Sequence, residues 1–403
     1  MPDYDSIVAS LTNKNVTYRY CGNTMRFALS HALFSSAAVD TGTHMLLAIL
    51  AEVLRDHAPE EVVDLGCGTG TAGISLAAAF RVPLRAYDRD ALATAFTATN
   101  ARSNRVQADE IMPSLGLPAL PTVARRIVVC NMPAKAGHPV INDMIAQVAS
   151  AAGGDGWGAV VIVKTLESLL LDQLERLGAS VVVSRGNANH RSVVFSGVPG
   201  VGASQPGDLL PAHYVRTRSR FEGPSRAYEA DTVYNLPEFD GLSFRTALVF
   251  ELLRRVTIHG SVAIYGAGQG HIAEACRQRM EQSRGSASEN ALSVYDRDLL
   301  ALRVTAHNGP IDSAEPIPSL SALSPRGALF DWLLVNDDPV PGSTWNTDLL
   351  GTASQLLRPE GKLIVASRST SVARLLKGAG RSLRQIESQR MGGYRADLLS
   401  FRH

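Results

Sequence analysis

Short apolar runs alternate along this chain with stretches of helical periodicity. Glu61–Leu65, Leu84–Tyr87, Arg126–Cys130 and Gly158–Lys164 read as strands, the last around Val160-Val161-Ile162-Val163. Between the first of them, Ala72–Phe80 and Ala91–Asn100 read as helices. Strands separated by helices of about ten residues predict a mostly parallel sheet with helices on both faces.

The same pattern is written twice. Asp64-Leu65-Gly66-Cys67-Gly68-Thr69-Gly70 returns as Ile264-Tyr265-Gly266-Ala267-Gly268-Gln269-Gly270 at an offset of 200 residues. Tyr87-Asp88-Arg89-Asp90 returns unchanged as Tyr295-Asp296-Arg297-Asp298 at an offset of 208. The extra residues fall in Glu281–Asn290, a polar stretch suited to a longer loop. Val129-Cys130-Asn131 is echoed by Leu334-Val335-Asn336. Upstream, the segment from Ala32-Leu33-Phe34 to Thr43-His44-Met45-Leu46-Leu47 is echoed from Pro237-Glu238-Phe239-Asp240 to Thr246-Ala247-Leu248-Val249. Repeats in one order imply two tandem α/β domains of one Rossmann-like fold, residues 1–200 and 201–403, divided in the Gly/Pro-rich segment Val198–Pro211.

Composition narrows the classes. With 403 residues, 45% hydrophobic and 19% charged, the chain suits two soluble globular domains. A formal net charge of +1 supplies no global attraction to nucleic acid, so such a partner needs a local basic patch. The four cysteines lie far apart, against a disulfide framework or a zinc site, and no metal is expected. No apolar run approaches the roughly 18 residues that span a bilayer. The acidic start Met1-Pro2-Asp3-Tyr4-Asp5 lacks the layout of a signal peptide, so a cytoplasmic protein without a membrane partner is expected.

The loop Gly66-Cys67-Gly68-Thr69-Gly70 follows a strand ending in acidic Asp64 and precedes a helix. Glycines there let backbone approach a ligand that side chains would block. A dinucleotide site wants a glycine at position 71, which is Thr71, so S-adenosylmethionine fits better than a pyrophosphate cofactor. Asp88, 22 residues past Gly66, ends the next strand, where a carboxylate can accept both ribose hydroxyls. The bland alternative is a plain turn with Asp88 capping a helix. Asp109 sits where the third strand is expected to end, either binding the adenine amino group or standing exposed in a loop. Cys67 reads as a small filler. In the second loop Ile264-Tyr265 stands where Asp64-Leu65 does, so the acid is absent, and Gln269 and His271 crowd the turn, while Asp296 keeps the ribose position. That copy is expected to be degenerate, with retained cofactor binding as the other reading.

On these motifs the chain resembles the bacterial ribosomal RNA guanine-N2 methyltransferases, which carry two tandem methyltransferase domains, one of them degenerate. The resemblance runs from Phe34-Ser35 through Asp40-Thr41-Gly42-Thr43 and Leu46-Leu47, then Asp64 to Gly70, to Asn131-Met132-Pro133-Ala134 with Gly137. It implies a transferase with S-adenosylmethionine as cofactor, bound by Asp64, Gly66, Gly68, Gly70, Asp88 and Asp109, with Asn131 and Pro133 catalytic. An exocyclic amine is a poor nucleophile because its lone pair is delocalised. An Asn oxygen and a backbone carbonyl that accept its N–H groups draw the pair out of the ring and aim it. The family's motif is Asn-Pro-Pro-Phe. Here Met132 replaces the second residue, and Ala134 replaces the ring that stacks on a flipped base. The other reading of Asn131 is a turn residue. In that family the C-terminal copy is the active one, whereas here the fuller motifs are N-terminal. Asn336-Asp337-Asp338-Pro339 puts acids in the equivalent place.

Arg216, Arg218 and Arg220, interleaved with Tyr214 and Phe221, could grip phosphates and stack on bases of an RNA substrate, or form the charged face of an edge strand. Three functions stay open: methylation of an RNA base, methylation of a small metabolite, and a cofactor-binding interaction protein without turnover.

Overall fold

A computed structural model describes residues 4–34, 37–198, 209–282, 290–326 and 330–402. Ser35, most of the expected boundary Val198–Pro211 and most of the loop Glu281–Asn290 lie outside them. The chain divides into two compact units, Met1–Tyr214 and Val215–His403.

The first unit opens with a short helix, α1 (Asp5–Leu11), and a hairpin, β1 (Lys14–Tyr20) and β2 (Asn23–Leu29). Helix α2 (Thr41–Val53) then leads into strand β3 (Glu61–Leu65). Helix α3 (Thr71–Phe80), β4 (Leu84–Asp88), α4 (Ala91–Ser103), β5 (Ala108–Pro113), β6 (Arg126–Asn131), α5 (His138–Ala152), β7 (Trp157–Val163), α6 (Glu167–Leu177), β8 (Val181–Gly186) and β9 (His190–Ser196) follow. The sheet order is β5-β4-β3-β6-β7-β9-β8. Strands β3 to β7 are parallel, and β9 lies antiparallel between β7 and the edge strand β8. Every residue of β3 is buried, as expected of a central strand covered on both faces.

The second unit repeats the plan. Its hairpin is β10 (Val215–Glu222) with β11 (Ala227–Val233), followed by α7 (Phe244–Leu253) and β12 (Ser261–Tyr265). Helix α8 (His271–Glu281), β13 (Ala291–Asp296), α9 (Leu299–Asn308), β14 (Ser313–Pro316), β15 (Phe330–Asn336), α10 (Trp345–Leu356), β16 (Leu357–Arg368), α11 (Ser369–Ala379), β17 (Leu383–Met391) and β18 (Tyr394–Phe401) complete it. The order β14-β13-β12-β15-β16-β18-β17 is strand for strand that of the first sheet. The expected pair of Rossmann-like domains is therefore the observed architecture.

The repeated Tyr-Asp-Arg-Asp has a local reason. Asp90 caps α4 by accepting from Leu92 N at 2.9 Å, and Asp298 caps α9 by accepting from Leu300 N at 3.0 Å. The first acid of each set is thus left for the glycine loop. Helices α2 and α7 are capped in the same way by Asp40 and Ser243. No helix among the described residues is long and apolar enough to cross a membrane.

Candidate active site

The loop between β3 and α3 carries three glycines at positive φ: Gly66 at 76°, Gly68 at 57° and Gly70 at 79°. Their reasons differ. A Cβ on Gly70 would stand 2.6 Å from Ile74 Cδ1, so packing excludes a side chain there. Around Gly66 and Gly68 a Cβ would meet nothing within 4 Å. These two leave an open cradle at the strand end, where bare backbone can meet a ligand.

Asp88 ties that cradle to the next strand. Its carboxylate accepts from Gly68 N at 2.9 Å and from Asp90 N at 3.0 Å. Burial, with Asp90 adding to it, pushes the Asp88 pKa up to about 6. It does not cap the helix, since Asp90 does. Asp64 lies beneath the cradle, buried, and accepts from Gly73 N at 2.9 Å inside α3. Burial foremost, then the nearby Asp88 charge, lifts its pKa to about 7 against the pull of the Gly73 N–H. Asp64 therefore fastens helix to strand. Cys67 is buried and receives the Thr97 hydroxyl at 3.3 Å, and burial raises its thiol far above the ordinary value, as befits a filler.

Asp109 is displaced from its expected place. Parallel β5 pairs Ala108 with Leu84 and Pro113 with Asp88, so the strand ends at Pro113 and Asp109 stands near its start. That is the opposite edge of the sheet from the glycine loop. There Asp109 faces Arg85 at 3.6 Å and accepts from Gln107 Nε2 at 2.9 Å.

Asn131 ends β6, which pairs with β3 on one side and β7 on the other. Its amide nitrogen lies 3.2 Å from Thr43 Oγ1 and 3.3 Å from Asp40 Oδ2. Met132 continues the pairing through its N–H to Val161 O at 2.9 Å, and its side chain is buried. Pro133, Ala134 and Lys135 are exposed in the turn before α5, where Pro133 O accepts from Ala136 N at 3.0 Å. The structure thus gathers Gly66, Gly68, Gly70 and Asp88 at the end of β3 and β4, with Asn131 on the adjoining strand.

Sequence reasoning missed Asn100. From α4 it accepts from Ala28 N at 2.8 Å and donates to Ala28 O at 3.1 Å and Thr69 O at 2.9 Å. One side chain thereby fastens the hairpin to the glycine loop.

In the second unit, Gly266, Gly268 and Gly270 repeat the positive φ values at 88°, 57° and 88°. Asp296 accepts from Ala267 N at 2.7 Å, and burial raises its pKa to about 6. Gln269 and His271 do not crowd the turn. Gln269 is buried, taking Val233 N at 2.8 Å and donating to Phe239 O at 2.8 Å. His271 is buried against the Phe221 ring, with the Tyr228 hydroxyl 2.8 Å from its Nδ1. A cavity of about 400 Å³ is lined by Gly266, Gly268, Asp296, Asn336, Glu238 and Arg245 among others. Asn336 Nδ2 donates to Gly266 O at 3.3 Å, while its Oδ1 is buried without a partner. Asp338 is held by Arg245 at 3.1 Å and by the Ser367 hydroxyl at 3.0 Å.

The arginine stripe lies on β10. Arg216 pairs with Asp240 at 3.0 Å and stands over the Phe239 ring at 5.2 Å. Arg218 faces Glu229 at 3.0 Å and Asp231 at 3.6 Å, and Arg220 is exposed. Among the described residues no group of His, Cys, Asp or Glu is arranged to hold a metal ion.

Residues 24–186 match the family described as the methyltransferase small domain. Among solved structures, the T. thermophilus 16S rRNA N2 G1207 methyltransferase, in complex with AdoMet and guanosine, is similar over 98% of this chain and 99% of its own, at a TM-score of 0.66 and 14% identity. That likeness extends the shared fold over both units. Curated relatives include the ribosomal protein L11 methyltransferase of Thermosynechococcus vestitus, 28% identical over 150 residues, 35% of this chain and 46% of that one. The L11 methyltransferase of Methylococcus capsulatus is 40% identical over 81 residues, 20% of this chain and 28% of that one. The chain spans less than half the length of these curated relatives.

Proposed function

We propose that this chain is an S-adenosylmethionine-dependent N-methyltransferase, its N-terminal unit catalytic and its second unit degenerate, acting on an exocyclic amine of an RNA base, guanine N2 of ribosomal RNA in the first instance. The observation that carries this reading is the position of Asn131. It ends the strand beside β3, whose glycine loop leaves open space at Gly66 and Gly68 next to Asp88.

The residues present fit the cofactor. Gly66 and Gly68 leave room for close approach, and the Asp88 carboxylate keeps lone pairs for ribose hydroxyls beyond the two N–H groups it accepts. Bound there, the cofactor supplies an electrophilic methyl group. Asn131 then accepts an N–H of the acceptor amine through its oxygen, which localises the lone pair on nitrogen and orients it. Pro133 fixes the turn after the strand, with φ set by its ring. Lys135 and His138 are exposed beside this turn. On this reading Arg216, Arg218 and Arg220 contact phosphates of the RNA.

A second reading, a small metabolite as acceptor, is favoured by Ala134 in place of a stacking ring and by acids paired with Arg216 and Arg218. The names of the curated relatives suggest a ribosomal protein as a further acceptor. One experiment separates the three. Nucleoside and intact-protein mass spectrometry of ribosomes from deletion and complemented strains should reveal one methylguanosine that returns with the gene. A methyl mark restored on a ribosomal protein, or on neither component, would move the acceptor accordingly.

A further inference from the structure

We infer that Asp40, together with Thr43, is a positioning residue that fixes which way the Asn131 amide faces. The inference rests on the amine-methylation reading above for its catalytic meaning. Its geometric content stands on the contacts alone.

An asparagine amide has an acceptor end and a donor end, and its neighbours decide which goes where. On one side of Asn131 stand the two carboxylate oxygens of Asp40 at 3.4 and 3.3 Å and Thr43 Oγ1 at 3.2 Å. A carboxylate offers only acceptors. The single hydroxyl hydrogen of Thr43 is spent on Asp40 Oδ2 at 2.5 Å, so Thr43 shows Asn131 a lone pair as well. This side can receive only the NH2 end, which leaves the oxygen of Asn131 for the other side. Reversal would set an oxygen against three acceptor positions. Donation to a carboxylate also polarises the amide and makes its oxygen a better acceptor.

The arrangement accounts for the run Asp40-Thr41-Gly42-Thr43. Asp40 caps α2 through Thr43 N at 3.1 Å while holding Asn131. A Cβ on Gly42 would press within 3.0 Å of Asp40 Oδ1 and 3.1 Å of Val161 Cγ2, so glycine keeps the carboxylate free to do both. The second unit serves as an internal comparison. There the carboxylate is Glu238, which accepts from Ser243 N at 2.9 Å and the Thr246 hydroxyl at 2.5 Å. Asn336 is instead held from Gly266 O, with its own oxygen buried and unpartnered. The repeated fold has kept the asparagine and lost its orienting acid.

The test is a double-mutant cycle with tritiated S-adenosylmethionine and ribosomal RNA from a strain lacking the gene. Asp40→Asn keeps length and cap but turns an NH2 toward Asn131, and Asp40→Ser keeps the cap while falling short of it. Each should lower kcat by about 10²-fold, the scale of a misplaced catalytic group, with cofactor KM and Tm unchanged. Asn131→Ala should cost as much, and the double variants no more than Asn131→Ala alone. Losses that multiply, or an Asp40→Asn enzyme as fast as wild type beside an inactive Asn131→Ala, would overturn the inference and leave amine methylation standing. Selective 15N-asparagine labelling needs no acceptor. The Asn131 carboxamide protons should exchange slowly in wild type and faster in Asp40→Ser, and unchanged exchange overturns the inference. An Asn131→Ala enzyme of wild-type rate sinks the functional reading instead, and the exchange experiment then decides the geometric one.

Discussion

Asn100 and Asn308 make the same three hydrogen bonds in the two halves of the chain. Asn100 takes the N–H and carbonyl of Ala28 and the carbonyl of Thr69. Asn308 takes the N–H of Asp231 at 2.8 Å, its carbonyl at 2.9 Å, and the carbonyl of Gln269 at 3.1 Å. In each unit a helix, α4 after β4 or α9 after β13, thus bolts the hairpin to the glycine loop. Removing the amide leaves buried backbone groups without partners. Asn100→Ala should cost about 2–4 kcal/mol of stability in a denaturant titration. An unchanged midpoint would show that water replaces the side chain.

Cofactor stoichiometry tests the asymmetry between the halves. Gly68→Arg combines a positive φ with a bulky group in the open cradle, and should abolish binding in calorimetric titration. Gly268→Arg should leave that single site nearly unchanged. The cavity around Asp296 and Asn336 supplies the contrary outcome. Two sites per chain would place cofactor in both units, and loss of binding in the second variant alone would assign it to the second.

Much of this was legible in the chain. Glu61–Leu65 and the glycine loop announced themselves because Val62, Val63 and Leu65 lead directly into a Gly-x-Gly-x-Gly turn whose glycines take positive φ. The third strand was not. Ala108–Pro113 is an edge strand with one buried residue, Ile111, so nothing in its pattern marks its end, and Asp109 was placed at the wrong edge. The first hairpin stayed hidden because its exposed face alternates without a dominant apolar run, and of the second only β10 was read, as an edge strand with a charged face. Asn100 looks like any polar residue on an Ala/Thr-rich helix. The contact between Asp40 and Asn131 spans 91 residues and belongs to tertiary structure alone.

The raised pKa values fix the sign of a pH effect. The folded-state pKa of Asp64 is about 7, above its ordinary 3.8, so between those values the folded protein binds more protons than the unfolded chain. Its contribution is therefore fully present below about pH 4 and is lost as pH rises through 7. Asp64→Asn removes that titration. The stability difference between variant and wild type should grow in favour of the variant from pH 5 to pH 8, as read by urea midpoints. A constant difference would mean Asp64 stays ionised throughout.

On the proposed reading, Asp88 meets the cofactor's ribose beside the glycine loop, where it accepts from Gly68 N. Asp88→Ala should weaken S-adenosylmethionine binding by about 2–3 kcal/mol, the scale of hydrogen bonds to a charged acceptor. Because its pKa is about 6 in the ligand-free protein, wild-type affinity should also fall as pH drops below that value. A dissociation constant unaffected by the substitution would restrict Asp88 to tying the loop.

The arginine stripe is checked by salt. Replacing Arg216, Arg218 and Arg220 by Ala should flatten the dependence of RNA affinity on salt concentration, because phosphate contacts release counterions. Cofactor affinity should not move. If the wild-type protein binds no ribosomal RNA at low salt, the paired acids Asp240 and Glu229 have neutralised the stripe and the metabolite reading leads.

Ala134 offers the sharpest division between acceptors. It is exposed in the turn that follows Asn131, the position at which the resembled family carries an aromatic ring. Stacking of a base on such a ring is worth on the order of 1–3 kcal/mol, so Ala134→Phe should raise kcat/KM on a nucleobase acceptor by roughly tenfold. The gain should appear in KM, because a ring that holds the flipped base stabilises ground state and transition state alike. A metabolite shaped for the present turn would meet the new ring as an obstruction, and its kcat/KM should fall. The exposure of the site makes the substitution benign for folding, so an equal Tm in both proteins is the control. A ring that helps RNA and hinders every small amine tested assigns the acceptor, and the opposite pattern removes the base from consideration while leaving Asn131 and the cradle in place.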